Sequence, residues 1–388
     1  MNLLVLSYRN ARRHPVRSIL TAVGIAVALF AFCFIQTVIG AWYSGVEATA
    51  KNRLIVRNAM SLIFYLPYSY GPRIAQVPGV EKSAYGNWFG GVYRDERSTF
   101  FQQFAIDPAY LDIYPEYLIR PEDKREFLAD RRGALIGRDL ADRFNLKVGD
   151  SLPLKGTIFP GEWQFTIRGI MEGRDSDVDT RIMYFHWDYL NERNKAEMLR
   201  MPDHVGFFVV QLAPGAEPAV VSKAIDQIFA NSYAETLTET ETAFVQGFIS
   251  MSSSIITAMN IVSVVVVGVM LLVLTNTMLM AARERYREYA ILKSLGFGAK
   301  HIAVLLLSES LLITTAGLLL TTVLSTAVFT LPPQKIFGPL HDFFPQFRLS
   351  FSTISFAVSA ALLLAVAAGL VPAVHIIRLR VTDALRRH

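Results

Sequence analysis

Four long stretches of this chain carry almost no formal charge, and they restrict its possible folds more than any motif does. Between Arg17 and Glu47 lie 29 residues without Lys, Arg, Asp or Glu, and Ile19 to Trp42 is almost wholly apolar. As a helix rising about 1.5 Å per residue, that apolar stretch reaches roughly 36 Å, enough to cross a hydrocarbon core of about 30 Å. A second uncharged run covers the 41 residues Thr242 to Ala282, and a fourth covers the 29 residues Leu349 to Ile377. Between them, Ile302 to Leu331 holds a single acid, Glu309. Buried helices of soluble proteins are seldom this long and this free of charge, so four membrane-spanning helices are expected. Composition agrees, because only 18% of the 388 residues are charged, against about a quarter in a soluble domain.

The second run is too long for one crossing. A helix over its whole length would reach about 60 Å, twice the core thickness. Its first part is also the more polar, with Gln246, Ser250, Ser252, Ser253, Ser254, Thr257 and Asn260 ahead of the dense run Ile261 to Leu274. Residues 242–256 therefore read as a helical stalk that continues into the span, with a loop followed by an ordinary helix as the alternative.

Charge at the flanks gives the orientation. Thirteen bases, among them Arg9, Arg12, Arg13, Arg17, Arg283, Arg285 and Arg287, border the spans on one side against three acids, Glu284, Glu288 and Asp383. The positive-inside rule places the termini and the 283–301 loop in the cytoplasm and residues 43–241 outside. Counted through residue 250, the insert has 23 bases and 28 acids. The overall charge of +5 is thus a record of topology and no sign of a nucleic-acid partner. Ala48-Thr49-Ala50 resembles a signal-cleavage site, but the preceding apolar stretch is much longer than a signal core, so an uncleaved anchor is favoured. Asn2 to His14 sets Leu3, Leu4, Leu6 and Ala11 among Arg9, Arg12 and Arg13, the pattern of a segment lying along the membrane surface.

The expected fold class is an α-helical membrane protein with four transmembrane helices and a mixed α/β extracytoplasmic domain inserted between the first and second. The expected order is an interfacial segment (1–18), a first span (19–42), the outer domain (43–241), the stalk (242–256) and a second span (257–282). A cytoplasmic coupling loop (283–301), a third span (302–331), a short outer loop (332–350), a fourth span (351–377) and a cytoplasmic tail (378–388) follow.

Inside the insert, Leu54 to Val56, Phe100 to Ile106, Trp163 to Ile170, Ile182 to Phe185 and Phe207 to Leu212 read as strands. Tyr70 to Gln76, Arg138 to Phe144 and Pro218 to Ser232 read as helices, and Pro78-Gly79, Pro160-Gly161 and Pro214-Gly215 as turns. The single cysteine, Cys33, excludes a disulfide framework. There is no His-Glu-x-x-His pair, Gly-x-Ser-x-Gly elbow or Cys-x-x-Cys, so neither a catalytic nor a metal site is expected. Asp175, Asp177 and Asp179 alternate like calcium ligands but lack the EF-hand glycine and distal glutamate. The aromatic-rich stretch with Tyr65, Tyr68, Tyr70, Trp88 and Phe89 is either core packing or a surface for a hydrophobic cargo or partner.

The loop after the second span, from Arg283 through His301, sets Ala290, Ile291, Leu292 and Leu295 at helical spacing, and Gly296 stops that helix. Its apolar face needs a cover: the headgroup layer, the protein's own span ends, or a groove on a soluble partner. Glu309 lies about a third of the way into the third span, where a lone carboxylate calls for a basic partner from the loop, for hydration at headgroup level, or for a proton-coupled role.

The run Ala282-Arg283-Glu284-Arg285 through Lys293-Ser294-Leu295-Gly296, followed by Leu307-Ser308-Glu309-Ser310 and Gly317, resembles the FtsX-like domain of the MacB/FtsX/LolC-E permeases. Arg9-Asn10-Ala11-Arg12-Arg13 through Thr21 to Ala26 is similar to that family's first span. Leu370-Val371-Pro372-Ala373 through Arg386 is similar to its ending, with Val381 where a proline is common. Val77 to Glu81 and Gly137-Arg138 to Asp150 resemble its periplasmic core domain. The resemblance implies an ABC transporter permease of the mechanotransmission type in a bacterial cytoplasmic membrane. It implies two ATPase subunits, a second permease copy or paralogue, and an adaptor or lipoprotein carrier alongside membrane lipids. The coupling residues it points to are Arg283, Glu284, Arg287, Glu288, Ala290, Ile291, Leu292, Leu295 and Gly296. The chain has no Gly-x4-Gly-Lys-Ser/Thr, so it is expected to bind no cofactor, with ATP and Mg2+ held by the partner ATPase. An alternative is an FtsX-like signalling regulator whose outer domain activates a partner such as a cell-wall hydrolase.

Overall fold

The structure is a computed structural model that describes residues 13, 15–47, 49–94, 101–175, 178–197, 201–330 and 349–377. Nearly all of the expected interfacial segment, most of the 332–350 loop, the 378–388 tail and Asp177 lie outside the described residues. The chain divides into two compact units, with boundaries between Trp42 and Tyr43 and between Met251 and Ser252.

The first unit is built on four long helices, Pro15–Glu47, Ser253–Glu284, Ala299–Thr330 and Phe351–Ile377. All four are long and apolar enough to cross a membrane. They share one core, in which Ala22, Ile25 and Leu29 of the first span meet Met270, Leu274 and Met278 of the second, Ile313 of the third and Ala361, Leu364 and Ala368 of the fourth. Lipid offers no hydrophobic drive between helices, so contact depends on small residues and interhelical hydrogen bonds. Both are present. A Cβ on Gly317 would lie 2.7 Å from Ile25, and Thr321 Oγ1 donates to the Ala26 carbonyl at 3.2 Å. Between the third and fourth spans, Ser310 Oγ donates to the Ala365 carbonyl at 2.8 Å beside Gly369.

The second unit contains thirteen strands among the described residues. In chain order these are β1 (Arg53–Asn58), β2 (Leu66–Pro67), β3 (Val80–Trp88), β4 (Gly91–Val92), β5 (Gln102–Ile106), β6 (Tyr117–Leu118), β7 (Gly133–Gly137), β8 (Ser151–Gly156), β9 (Gly161–Gly173), β10 (Ile182–His186), β11 (His204–Val205), β12 (Phe207–Leu212) and β13 (Thr236–Thr240). The main sheet runs β13-β1-β12-β3-β5-β10-β7-β9-β8-β4, with β6 on β9, while β11 and β2 form a separate pair. Along the path only β5/β10 and β7/β9 are parallel.

β1, β7, β10 and β12 are apolar on both faces because both faces are covered there, whereas β8 and β9 alternate buried and exposed residues. Leu54, Val56, Phe208 and Val210 face one core with the helices Arg138–Phe144, Trp187–Glu197 and Pro218–Phe229. Ile55 and Val209 face the other, with Tyr110, Tyr114 and Phe127. The expected turns hold, since Gly79, Gly161 and Gly215 all take positive φ.

One expectation changes. The stalk does not run on into the second span as a single helix. A helix spans Glu241–Ser250, capped where Thr240 Oγ1 accepts from the Ala243 N–H at 3.1 Å, and the spanning helix starts afresh at Ser253 after a turn at Met251 and Ser252.

Candidate functional site

The second span stops at Glu284, and the chain turns at Arg285 before the Tyr286–Ser294 helix begins. That turn carries Arg285 into the protein. Its Nη1 donates to Glu309 Oε2 of the third span at 2.9 Å, with both side chains about 95% buried. The lone acid of the third span is therefore paired with a loop arginine. Tyr289 is buried beside them, and burial together with the Glu309 carboxylate pushes its phenol up to about 12.

Further contacts fasten this helix to the spans. Arg13 pairs with Glu288 at 2.5 Å and Lys293 Nζ donates to the Ile376 carbonyl of the fourth span at 3.2 Å, while just before the turn Arg17 of the first span pairs with Glu284, the last residue of the second-span helix, at 2.7 Å. Tyr289 and Ala282 pack with Ile302, Leu305, Leu306, Ala373 and Ile376, and Leu292 leans on the same cluster. Gly296 ends the helix at φ +89°, with the Phe297 N–H returning to the Leu292 carbonyl at 3.0 Å and the Gly296 N–H to that of Lys293 at 3.1 Å. This is the Schellman arrangement, in which glycine relieves the left-handed backbone.

The apolar stripe seen in the sequence therefore belongs to two faces. Ala290 is buried, and Leu292 is half-buried against the protein's own span ends, whereas Ile291 is 51% and Leu295 70% exposed. Arg287, Ile291 and Leu295, spaced by four, form one outward row on a helix whose other side is fastened down. Arg283, Glu284 and Glu288 are also exposed.

In the second unit the aromatic stretch divides as well. Tyr70 is buried, stacked on Phe229 at 3.9 Å, and Phe89 is wholly buried with its ring 5.1 Å from those of Trp163 and Phe185. These two are core residues and offer no surface to a cargo. Tyr65 is half-buried near Phe159, while Tyr68, stacked on Trp187 at 5.1 Å, and Trp88, edge-on to Phe104, keep exposed edges. More exposed still is a loop outside the aromatic pattern, with Met60, Leu62, Ile63 and Phe64 all open to solvent.

The sequence pattern also passed over Arg53. This side chain is buried at the start of β1, its Nε 2.7 Å from Glu241 at the head of the Glu241–Ser250 helix and its Nη2 2.7 Å from Glu116. Nη1 donates to the Ile113 carbonyl at 3.2 Å, and the guanidinium lies 4.1 Å from the Tyr114 ring centre. Burial opposes the cation, but its hydrogen bond to Glu116 and the charge of Glu241 outweigh that and raise its pKa. The Glu241 carboxylate also accepts from the Ala50 N–H at 3.1 Å, and the Thr49 and Thr242 hydroxyls meet at 2.7 Å. The two ends of the domain are thus knotted together around one arginine.

Comparison with known proteins bears on what such a molecule is. Residues 18–228 match the MacB-like periplasmic core domain, and residues 260–381 match the FtsX-like permease C-terminal domain. The chain belongs to the MacB/FtsX-like permeases. An uncharacterized ABC transporter permease of Methanocaldococcus jannaschii is 23% identical over 333 residues, covering 80% of this chain and 79% of the relative. Among solved structures, the periplasmic region of MacB from Actinobacillus actinomycetemcomitans is 8% identical, covering 53% of this chain and 95% of that one at a TM-score of 0.38. The extracellular domain of a noncanonic ABC-type transporter from Gram-positive bacteria is 12% identical, covering 49% and 100%, at 0.36.

The MacB-like match takes in the first span and most of the insert, and the FtsX-like match the other three spans with the loop between the second and third. An ABC transporter permease implies ATPase partners. Among the described residues of this permease no cluster of three His, Cys, Asp or Glu side chains is arranged to hold a metal.

Proposed function

We propose that this permease transmits the motion of separate ATPase subunits to its own outer domain, and so drives export or extraction of an amphipathic or lipidic cargo such as a lipoprotein, lipid, peptide or drug. In this reading the termini and the Arg283–His301 loop face the cytoplasm, the insert faces outward, and two permeases, as copies or paralogues, pair with two ATPases. ATP and Mg2+ belong to those ATPases. An outer adaptor or carrier receives the cargo, for which the Met60–Phe64 loop and the edges of Tyr68 and Trp88 offer apolar surface.

The observation that carries the reading is the row Arg287, Ile291 and Leu295. A short helix with one face fastened to the spans and two large aliphatic side chains turned outward is suited to a groove on a soluble partner. A push on it is passed directly to the second span through Glu284 and to the third through Arg285 and Glu309.

The test is Ile291→Asp and Leu295→Asp, each in the full-length permease, measured by co-purification with the ATPase and by stimulation of ATP hydrolysis. Loss of both signals with an unchanged thermal melt is expected. Undiminished co-purification and stimulation in both variants would refute docking through this row. Leu292→Asp serves as a contrast, because it strikes the inward face and should lower the melting temperature.

A further inference from the structure

A groove of about 600 Å3 lies between the first and second spans. Arg13 and Arg17 line one end, and Val16, Leu20 and Val273 line its walls. All three aliphatic side chains are exposed, so in a bilayer they need an apolar cover. On the first span the lining runs from Arg13 to Thr21, eight residues and about 12 Å of helix. A cationic mouth beside aliphatic walls has the chemistry of a phospholipid, with phosphate at the arginines and the upper acyl chain against Leu20 and Val273.

We propose that this groove is a binding site for an anionic phospholipid. The two arginines are able to take a phosphate although each already touches a carboxylate. Among the described residues each pair rests on one Nη1 contact, and a guanidinium has five N–H donors. Both carboxylates are exposed, and ion pairs of that kind hold weakly. An incoming phosphate shares or takes Arg13, which tethers the Tyr286–Ser294 helix through Glu288, and Arg17, which holds the end of the second span through Glu284. The charge of the surrounding lipid then sets how firmly that helix is held. This consequence for coupling rests on the proposed docking role, whereas the lipid site does not.

The test places a reporter in the wall. The full-length permease carrying Val273→Trp is reconstituted in phosphatidylcholine bilayers containing phosphatidylglycerol or phosphatidylcholine with brominated acyl chains, and quenching of the added tryptophan is compared with the unsubstituted protein. A roughly thirtyfold preference for brominated phosphatidylglycerol is expected, the size that two basic side chains supply at a membrane surface. Adding Arg13→Gln with Arg17→Gln should abolish it. Adding Arg283→Gln with Arg287→Gln removes the same charge outside the groove and should leave most of it. Equal quenching by the two lipids overturns the proposal, and so does an equal loss in both double variants, which would mean diffuse surface attraction. ATPase docking enters none of these readouts, so their failure is distinguishable from failure of the coupling reading.

Discussion

Two buried arginines sit at the places where this chain passes between its spans and its other parts, and they are satisfied in different ways. Arg53, six residues beyond the first-span helix, uses all three guanidinium nitrogens on two carboxylates and a carbonyl and lays its face near Tyr114. Arg285, directly after the second span, donates to Glu309 of the third, next to a buried tyrosine. The difference follows from the surroundings. In the outer domain three separate segments, at Arg53, Glu116 and Glu241, converge and supply enough partners to repay the desolvation of every charge. In the membrane unit the carboxylate that Arg285 reaches comes from a span otherwise free of charge. Arg53 is a knot that closes a domain, and Arg285 is a pin between two helices.

The knot can be broken by Arg53→Met, and this should produce the largest effect. Two buried carboxylates lose their cation, a loss that costs about 3–5 kcal/mol when a buried pair is broken from one side. Unfolding of the full-length protein followed by tryptophan fluorescence reads the outer domain well, since Trp88, Trp163 and Trp187 all lie in it. A large drop in melting temperature is expected, with much of it regained when Glu116→Gln and Glu241→Gln are added. If the single variant melts like the native protein, the arginine is not what holds the two ends of the domain.

The pin should give a smaller effect on stability. For Glu309→Gln about 1–2 kcal/mol is expected, because polar groups of a helix in the membrane find substitute partners when the native one is lost. Coupling should suffer more than stability. Glu309→Gln should retain the ATPase on co-purification yet reduce stimulated hydrolysis, because the outward row stays in place while the joint behind it loosens. Simultaneous loss of ATPase binding and of the native melt would instead make the pair a folding element only.

Much of this was legible in the sequence, for physical reasons that differ by region. Four spans were visible because charge is excluded from hydrocarbon, β1, β10 and β12 because strands covered on both faces must be apolar nearly throughout, and β9 because Trp163, Phe165 and Ile167 alternate with polar residues at strand period. β3, Val80–Trp88, was missed, since Glu81, Lys82 and Asn87 interrupt its apolar pattern although it lies inside the sheet. β7 was missed because glycine stands at both ends of a five-residue strand. At the loop, spacing gave the helix and its Gly296 stop, but it could not say that Ala290 and Leu292 turn inward while Ile291 and Leu295 turn outward. That depends on the approach of Ile302, Leu306 and Ile376, which are near in space and not in sequence. Glu309 announced its need for a cation; among Arg283, Arg285, Arg287, Lys293 and Lys300 the turn after Glu284 selects Arg285. Arg53 gave no such signal, for a single arginine at the head of an apolar strand is ordinary.

Asp107 sharpens the comparison from the other side, as a carboxyl whose environment works against its charge. It follows β5, where its Oδ1 accepts from the Ala109 N–H at 3.0 Å. Burial raises its pKa, the Ala109 hydrogen bond partly opposes that, and the charge of Asp188 adds to the rise. A carboxyl raised on folding binds its proton more tightly in the native state, so its favourable contribution is present below the unfolded value, near pH 4, and is lost as pH rises through the folded one. At neutral pH the ionised group is a net cost. Asparagine keeps the oxygen that accepts from Ala109 and sheds the charge. Asp107→Asn should therefore raise the melting temperature of the outer domain at pH 7 and lose that advantage in acid. A variant destabilised equally at pH 4 and pH 7 would show instead that the ionised carboxylate is itself held by the fold, as Glu116 and Glu241 are held by Arg53.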